Sequence, residues 1–337
     1  MPFGYLVPVV LISWGVACAL TTWRRLGPVA ALPALLVNEL PFIVGLWLAA
    51  STALALIDGD LGAPAGKAVF GVAVLAGAGL AVIVLQALRA HQALGIVGPP
   101  QRPWARIVCA PFFTGRRDIV RARSLPYAAG PRQRLDVHYR RDRPVGAAVL
   151  VHFHGGGFRS GSKSREALPL IRHLVSRRGF VCVSSDYRLQ PQVRLEDQVA
   201  DVRAAITWVR AHAGEFGADP SLLVLTGSSA GAYLAVRAVL DGEPGVGAVV
   251  GRYGYYGQLA PTRDMPDLLL IHGDHDLLIP PDQVRAFAER VRSTSGHRVI
   301  YAQLPGAHHD FDMFESIRAA AVVAAVEQFL DQVAADG

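Results

Sequence analysis

Three long runs without a charged residue stand at the beginning of the chain, at residues 1–23, 40–57 and 68–88. Each is close to the roughly 20 residues that a helix needs to cross the hydrocarbon core of a membrane. We therefore predict a transmembrane helical region over residues 1–92, with spans near 3–23, 40–57 and 68–88. Two alternatives remain open. The first run could be a cleaved signal peptide, although no charged residue precedes it, and the second could be a buried core helix.

Charged residues at the ends of these runs predict the orientation of the region. Arg24 and Arg25 follow the first run, whereas the loop after the second carries Asp58, Asp60 and a single lysine, Lys67. The arginines after the third run are Arg89, Arg102, Arg106, Arg116 and Arg117. Positively charged loops tend to stay on the cytoplasmic side. We expect an integral, multi-pass membrane protein with its N-terminus outside and its C-terminal domain on the cytoplasmic face.

The pattern changes after Leu88. The stretch GIVGPPQRPW is typical of a linker, which we place at residues 93–117, and a second domain is expected at 118–337. This part alternates short apolar runs with helical patterns such as DQVADVRAAITWVRAHAGEF at 197–216. The alternation predicts an α/β fold with a mostly parallel sheet and helices on both faces. The apolar runs are AAVLVHF (147–153), FVCVSSDY (180–187), LLVLTGS (222–228), VGAVVGRYG (246–254) and DLLLIHG (267–273).

Composition agrees with a membrane segment and excludes several partners. Hydrophobic residues make up 52% of the chain and the mean hydropathy is +0.31, which is high for a wholly soluble enzyme. The net charge of +6 comes mostly from arginines that are scattered, without the aromatic-interleaved basic stripe of a nucleic-acid site, so no nucleic-acid partner is expected. The three cysteines have neither disulfide nor metal-ligand spacing. We expect no metal and no organic cofactor.

The segment GSSAGAY, residues 227–233, follows the apolar run LLVLT and precedes a helical pattern. Gly-x-Ser-x-Gly between a strand and a helix is the context of a nucleophile elbow, a sharp turn that raises the serine hydroxyl above the sheet. Side chains at Gly227 and Gly231 would collide across this turn. We predict Ser229 as a nucleophile, the alternative being a turn of small residues without chemistry.

A serine hydroxyl needs a base to take its proton and an acid to orient that base. In folds with this elbow, the acid and then the histidine follow the serine along the chain. The segment HGDHDLLIP offers Asp274 and Asp276, and PGAHHDF offers His308 and His309. Asp276 is favoured because it lies deeper in its loop, whereas Asp274 directly follows a glycine and could cap the turn.

Three consecutive glycines follow the run AAVLV in the segment HFHGGGF, residues 152–158. Glycine backbone amides can approach a ligand without interference from side chains. Together with the amide of Ala230, the residue after the candidate nucleophile, they predict an oxyanion hole. The alternative is a flexible loop without this role.

These segments resemble the hormone-sensitive-lipase-like and arylformamidase-like esterases of the α/β-hydrolase superfamily. The whole chain, with its three spans and a VNELP segment, also resembles membrane-anchored bacterial carboxylesterases. The resemblance covers most of residues 145–315. The matching stretches are HGGGF, SSDYRLQP, LEDQVADVRAAITWVRAHAGEFGADP, GSSAGAYLA, HGDHDLLIP and PGAHHDF.

The resemblance implies a carboxylesterase or lipase-like serine hydrolase without a cofactor. It gives Ser229 as the nucleophile, Asp276 as the orienting acid and His309 as the base. Its oxyanion donors would be Gly156, Gly157 and Ala230. An acyltransferase would use the same residues, and a non-catalytic binding protein could keep the fold, so both alternatives stay open.

The chain departs from the family pattern in three places. Many relatives carry an acidic residue and a second glycine beside the elbow, where this chain has Ser228 and Ala232. Relatives often have a long cap insertion before the strand that bears the acid, whereas only residues 257–266 stand here. The missing insertion suggests an open cleft for a bulky or lipid-like acyl ester at the membrane, so we expect membrane lipid and such an ester as partners.

Overall fold

The computed structural model describes residues 3–22, 27–98, 101–112, 115–143, 145–164 and 166–336. The chain forms two compact units, which we call the helical unit and the sheet unit. The helical unit contains Met1–Phe113, Gly273–Leu278 and Leu304–Ala321. The sheet unit contains Thr114–His272, Ile279–Gln303 and Val322–Gly337. The division into a helical region, a linker and a catalytic domain at 118–337 stays a prediction.

The helical unit begins with apolar helices whose ends coincide with prolines. Pro41 occupies the first turn of one helix and Pro64 that of another, where a missing N–H costs nothing. Pro41 also ends the helix before it, because a residue that precedes proline disfavours the α conformation. The helices are α1 (Phe3–Leu20), α2 (Gly27–Glu39), α3 (Pro41–Ile57), α4 (Pro64–Ala93) and the short α5 (Trp104–Cys109).

Helix α2 was not predicted from the sequence. It has 13 residues and ends in Glu39, so a search for uncharged runs of about 20 residues passes over it. It is bent by 89° against α3. By length and composition, α1 and α4 are each sufficient to cross a membrane, and the bent pair could be a third crossing. The three predicted spans stay a prediction, and Arg24 and Arg25 lie outside the described residues.

Close packing inside the bundle depends on glycines. A Cβ atom at Gly15 would lie 2.5 Å from Cγ2 of Val37, and one at Gly79 would lie 2.3 Å from Cγ1 of Val16. Large apolar side chains such as Leu46 and Leu75 are exposed instead. This arrangement, with small residues at helix contacts and large apolar residues outside, is typical of helices that pack in lipid.

The sheet unit is built on an eight-stranded sheet in the order β1-β2-β4-β3-β5-β6-β7-β8. Strand β2 pairs antiparallel with β1 and β4, and the pairings from β4 through β7 are parallel. The strands are β1 (Ile119–Pro126), β2 (Arg134–Arg140), β3 (Ala147–Phe153), β4 (Val181–Ser185), β5 (Ala218–Ser228), β6 (Val246–Arg252), β7 (Asp267–Gly273) and β8 (Val299–Leu304). The further helices are α6 (Leu168–His173), α7 (Leu195–His212), α8 (Ala230–Leu240), α9 (Pro281–Thr294) and α10 (Ile317–Asp336). The predicted mostly parallel α/β architecture is confirmed.

Strands β3 and β5 lie in the middle of the sheet, where both faces are covered, and their apolar residues are buried. Helix α7 packs the predicted stripe of Val199, Val202 and Ile206 into the same core. Phe153 at the end of β3 is paired with Gly227 near the end of β5. The glycine segment and the serine segment therefore leave the sheet side by side at its carboxyl edge, where α/β proteins bind ligands.

Candidate active site

Ser229 occupies the turn between β5 and α8 in a strained backbone conformation. Its φ is 50° and its ψ is −117°, a region that residues with a Cβ atom rarely adopt. Its amide donates a 3.0 Å hydrogen bond to the carbonyl of Arg252 at the end of β6, which fixes the turn to the sheet. Such strain at a nucleophile is a recurrent property of active sites, because the surrounding structure must impose it.

The glycines on either side of Ser229 are required by sterics. A Cβ at Gly227 would lie 2.3 Å from the carbonyl carbon of Gly231. A Cβ at Gly231 would lie 2.0 Å from the carbonyl oxygen of Phe153 on β3. Both distances are far below van der Waals contact, so the elbow and the neighbouring strand admit only glycine here.

The glycine segment after β3 lies against the elbow. A Cβ at Gly155 would be 3.0 Å from Cβ of Ser229, and the φ angles of Gly156 and Gly157 are +110° and +59°. The Gly155 amide donates to the Glu166 carboxylate at 2.7 Å. Among the described residues, none accepts a hydrogen bond from the amides of Gly156, Gly157 or Ala230. These three predicted oxyanion donors are thus available to a ligand.

A stacked pair of aromatic rings lies at the start of the glycine segment. The His154 and Tyr187 rings are 4.4 Å apart and nearly parallel, and the Tyr187 hydroxyl donates to the His154 carbonyl at 2.8 Å. Burial lowers the pKa of His154 to about 4, so the imidazole is neutral near pH 7. Sequence reasoning did not assign Tyr187 or Glu166 a role. Tyr187 stands in the quoted SSDYRLQP segment, whereas no local pattern marks Glu166.

The predicted acid and base, Asp276 and His309, form a pair within the helical unit. His309 Nδ1 lies 2.7 Å from Asp276 Oδ2, and the other carboxylate oxygen accepts the Leu278 amide at 2.8 Å. Asp276 is 1% exposed and His309 is 8% exposed. An Nδ1–H that donates to the carboxylate leaves Nε2 as the basic nitrogen of the ring.

The neighbouring candidates make different contacts. The Asp274 amide donates to the Leu304 carbonyl, and burial raises the pKa of its carboxyl group. His308 Nε2 donates to the Ala19 carbonyl at 3.0 Å, and burial lowers its pKa to about 4. A histidine that is committed to a carbonyl and is hard to protonate is poorly suited as a general base. The geometry therefore favours Asp276 and His309 over Asp274 and His308.

Comparison with known proteins agrees with this architecture. A family model described as BD-FAE matches residues 135–247. The chain is 32% identical over 268 residues to the esterase LipC of Mycobacterium tuberculosis, which covers 64% of this chain and 66% of LipC. It is 31% identical over 267 residues to the esterase LipQ of the same organism, covering 64% of this chain and 63% of LipQ. The chain belongs to the α/β-hydrolase esterase family.

Solved structures of α/β-hydrolase esterases share the fold of about two thirds of this chain. A bacterial heroin esterase superimposes with a TM-score of 0.55 and 20% identity, over 64% of this chain and 85% of that one. At this identity the likeness concerns the fold alone. The match to the family's curated relatives spans just under two thirds of their length.

The described residues contain no cluster of three or more His, Cys, Asp or Glu side chains that could hold a metal ion. The structure groups the predicted site residues in two sets. Ser229 and the three oxyanion amides lie in the sheet unit, and Asp276 and His309 lie in the helical unit.

Proposed function

We propose that this α/β-hydrolase is a serine carboxylic-ester hydrolase. The strained elbow carries the proposal: Ser229 is held at positive φ beside backbone amides that have no acceptor among the described residues. The buried pair of Asp276 and His309 supplies the acid and the base that a serine nucleophile requires. The esterase names of LipC and LipQ support the same reaction.

In the proposed reaction, Ser229 Oγ attacks the ester carbonyl carbon while its proton passes to His309 Nε2. The carboxylate of Asp276 stabilises the imidazolium that forms. The amides of Gly156, Gly157 and Ala230 donate hydrogen bonds to the carbonyl oxygen as it becomes negatively charged. His309 then protonates the leaving alcohol, and an acyl-serine remains. Water then attacks this ester while its proton passes to His309, and His309 returns a proton to Ser229 Oγ as the carboxylic acid is released.

A fluorophosphonate probe tests the nucleophile directly. We expect the full-length protein in detergent to be labelled on Ser229, because the probe phosphonylates only an activated serine, with loss of fluoride. The Ser229→Ala variant should take up no label and hydrolyse no p-nitrophenyl ester. A folded wild-type protein that resists the probe and has no hydrolytic activity would instead be a binding protein with a hydrolase fold.

We propose further that the substrate is a bulky or lipid-like acyl ester. Only residues 253–266 connect β6 to β7, too few for a large cap over the carboxyl edge of the sheet. A series of p-nitrophenyl esters from acetyl to palmitoyl, in mixed micelles, tests the preference. We expect kcat/KM to rise at least tenfold towards the longer chains. Highest activity on the acetyl ester would contradict the proposal.

We also propose a membrane anchor of three spans with the catalytic residues on the cytoplasmic side. The exposed Leu46 and Leu75 side chains suit a lipid environment. Ala19 near the end of α1 and Gln86 late in α4 both adjoin the segment at residue 306 to 308, so these two helices end on the same side.

Cys109 offers a test of this orientation, because it is an exposed thiol and Cys18 and Cys182 are buried. A membrane-impermeant maleimide should label Cys109 in inside-out vesicles and leave it unlabelled in right-side-out vesicles. The opposite pattern would place the catalytic residues outside.

A further inference from the structure

One carbonyl group of the helical bundle contacts the neighbours of both the acid and the base. Ala19 lies in the last turn of α1, where backbone carbonyls have no partner within the helix. Its oxygen accepts a 3.0 Å hydrogen bond from His308 Nε2 and a 3.3 Å hydrogen bond from His275 Nδ1. His308 directly precedes His309, and His275 directly precedes Asp276. The end of α1 therefore ties together the two loops that carry the acid and the base.

A second contact fixes the loop between β8 and His309, which we call the base loop, at a point three residues before His309. The Asn38 side chain at the end of α2 donates to the Gly306 carbonyl at 3.0 Å. A Cβ at Gly306 would also lie only 2.2 Å from Oε1 of Gln86 on α4. Gly306 also has a φ of +62°, which suits glycine. Side chains from two helices, α2 and α4, thus confine this loop.

A buried ion pair lies next to these contacts. Arg318 Nη1 is 3.2 Å from Glu39 Oε1, and the two side chains are 0% and 1% exposed. The same guanidinium donates to the Pro305 carbonyl at 3.1 Å, and the Ser316 hydroxyl donates to Glu39 at 2.6 Å. A buried pair gains little net stability because both charges lose water. Through its hydrogen bond to the Pro305 carbonyl, the pair instead links the end of α2 to the segment that leads to His309.

We propose that the helical bundle fixes the geometry of the acid and base, and that Asn38, His275 and His308 are positioning residues for this pair. This inference rests on the proposed function. The Ala19 carbonyl and Asn38 hold the loops so that His309 Nδ1 stays within hydrogen-bond distance of Asp276. We assign none of the three a contact with the substrate. His275 acts through the loop that carries Asp276, and Asn38 and His308 act through the loop that carries His309.

Kinetics of variants in the full-length protein test this proposal. His308→Leu removes the hydrogen bond from the base loop to the Ala19 carbonyl. Asn38→Leu removes the hydrogen bond from α2 to the Gly306 carbonyl. We expect kcat to fall roughly 10- to 100-fold in each, with KM changed less than threefold. His308→Gln keeps an N–H donor for the Ala19 carbonyl and should restore kcat to within about threefold of the wild type.

The pH profile separates positioning from general destabilisation. Loosening the contact between His309 and Asp276 lowers the pKa of the base, because the carboxylate stabilises the imidazolium. We expect the acid limb of the kcat/KM profile to move to lower pH in His308→Leu and Asn38→Leu. A destabilised but correctly arranged protein would keep the wild-type profile.

Thr52→Val is the matched control. Thr52 makes a 3.1 Å hydrogen bond with Tyr5 between α3 and α1, and the described structure shows no hydrogen bond from either side chain to the loops that carry Asp276 and His309. This variant should keep wild-type kcat and pH profile. Wild-type kcat in folded Asn38→Leu or His308→Leu would overturn the proposal, as would an equal loss in Thr52→Val. A wild-type protein with no more activity than Ser229→Ala would refute the proposed function. The comparison of these two proteins therefore tests the proposed function separately from the positioning roles.

Discussion

Replacing His309 with alanine is expected to lower kcat by roughly 10⁴- to 10⁶-fold while the protein stays folded. Without the imidazole, Ser229 has no base for its proton and the leaving alcohol has no acid. His308→Ala should lower kcat only about tenfold, because its ring donates to the Ala19 carbonyl and does not contact Asp276. Initial rates on a p-nitrophenyl ester measure both effects.

The two histidines are adjacent, so the His308→Ala variant is the control for His309→Ala. Circular dichroism and gel filtration of both variants establish that they are folded. Fluorophosphonate labelling should also be lost in His309→Ala and kept, at a reduced rate, in His308→Ala. If His308→Ala has the larger loss, the assignment of the base to His309 is wrong.

Replacing Arg318 with methionine is expected to lower the free energy of unfolding by about 3–5 kcal/mol. The change leaves the Glu39 carboxylate buried without its counter-charge, and an unpaired buried charge is among the most costly defects in a protein. The Pro305 carbonyl also loses its donor. Thermal unfolding in detergent, followed by circular dichroism, measures the loss.

The double variant Glu39→Leu with Arg318→Met tests the physical reason. Removing both charges also removes the cost of taking them out of water, so most of the lost stability should return. A double variant as unstable as Arg318→Met would show that packing of the arginine, and not its charge, is responsible. Its kcat should stay low if the pair also positions the base loop.

Much of the sheet could be predicted because its strands carry an unambiguous local pattern. Strands β3 and β7 have the bounds of the apolar runs AAVLVHF and DLLLIHG, as expected for strands buried on both faces. Strands β1 and β2 were not predicted. They lie at one edge of the sheet, where β1 is only half-buried, and their sequences IVRARSLP and RLDVHYR mix arginine with apolar residues.

The elbow turn was predictable for a related reason. One short segment contains both the candidate nucleophile, Ser229, and the two glycines that the turn requires. The support of the site was not predictable. Asn38 reaches Gly306 across 268 positions, and His308 reaches Ala19 across 289. A single sequence contains no local signal for contacts of this range. Glu166 illustrates the same limit within the sheet unit, because only the fold brings it to the Gly155 amide.

The composition of the helical unit also bears on how the protein is made. Its helices are made before residues 304–321, which complete the unit and follow residue 113 by about 190 residues. At typical translation rates this delay is on the order of 10 to 40 s. During that time the Ala19 carbonyl, Asn38 and Glu39 have no native partner from this segment. His309, the proposed general base, belongs to the same segment, so the proposed reaction must wait until residues 304–321 have been made.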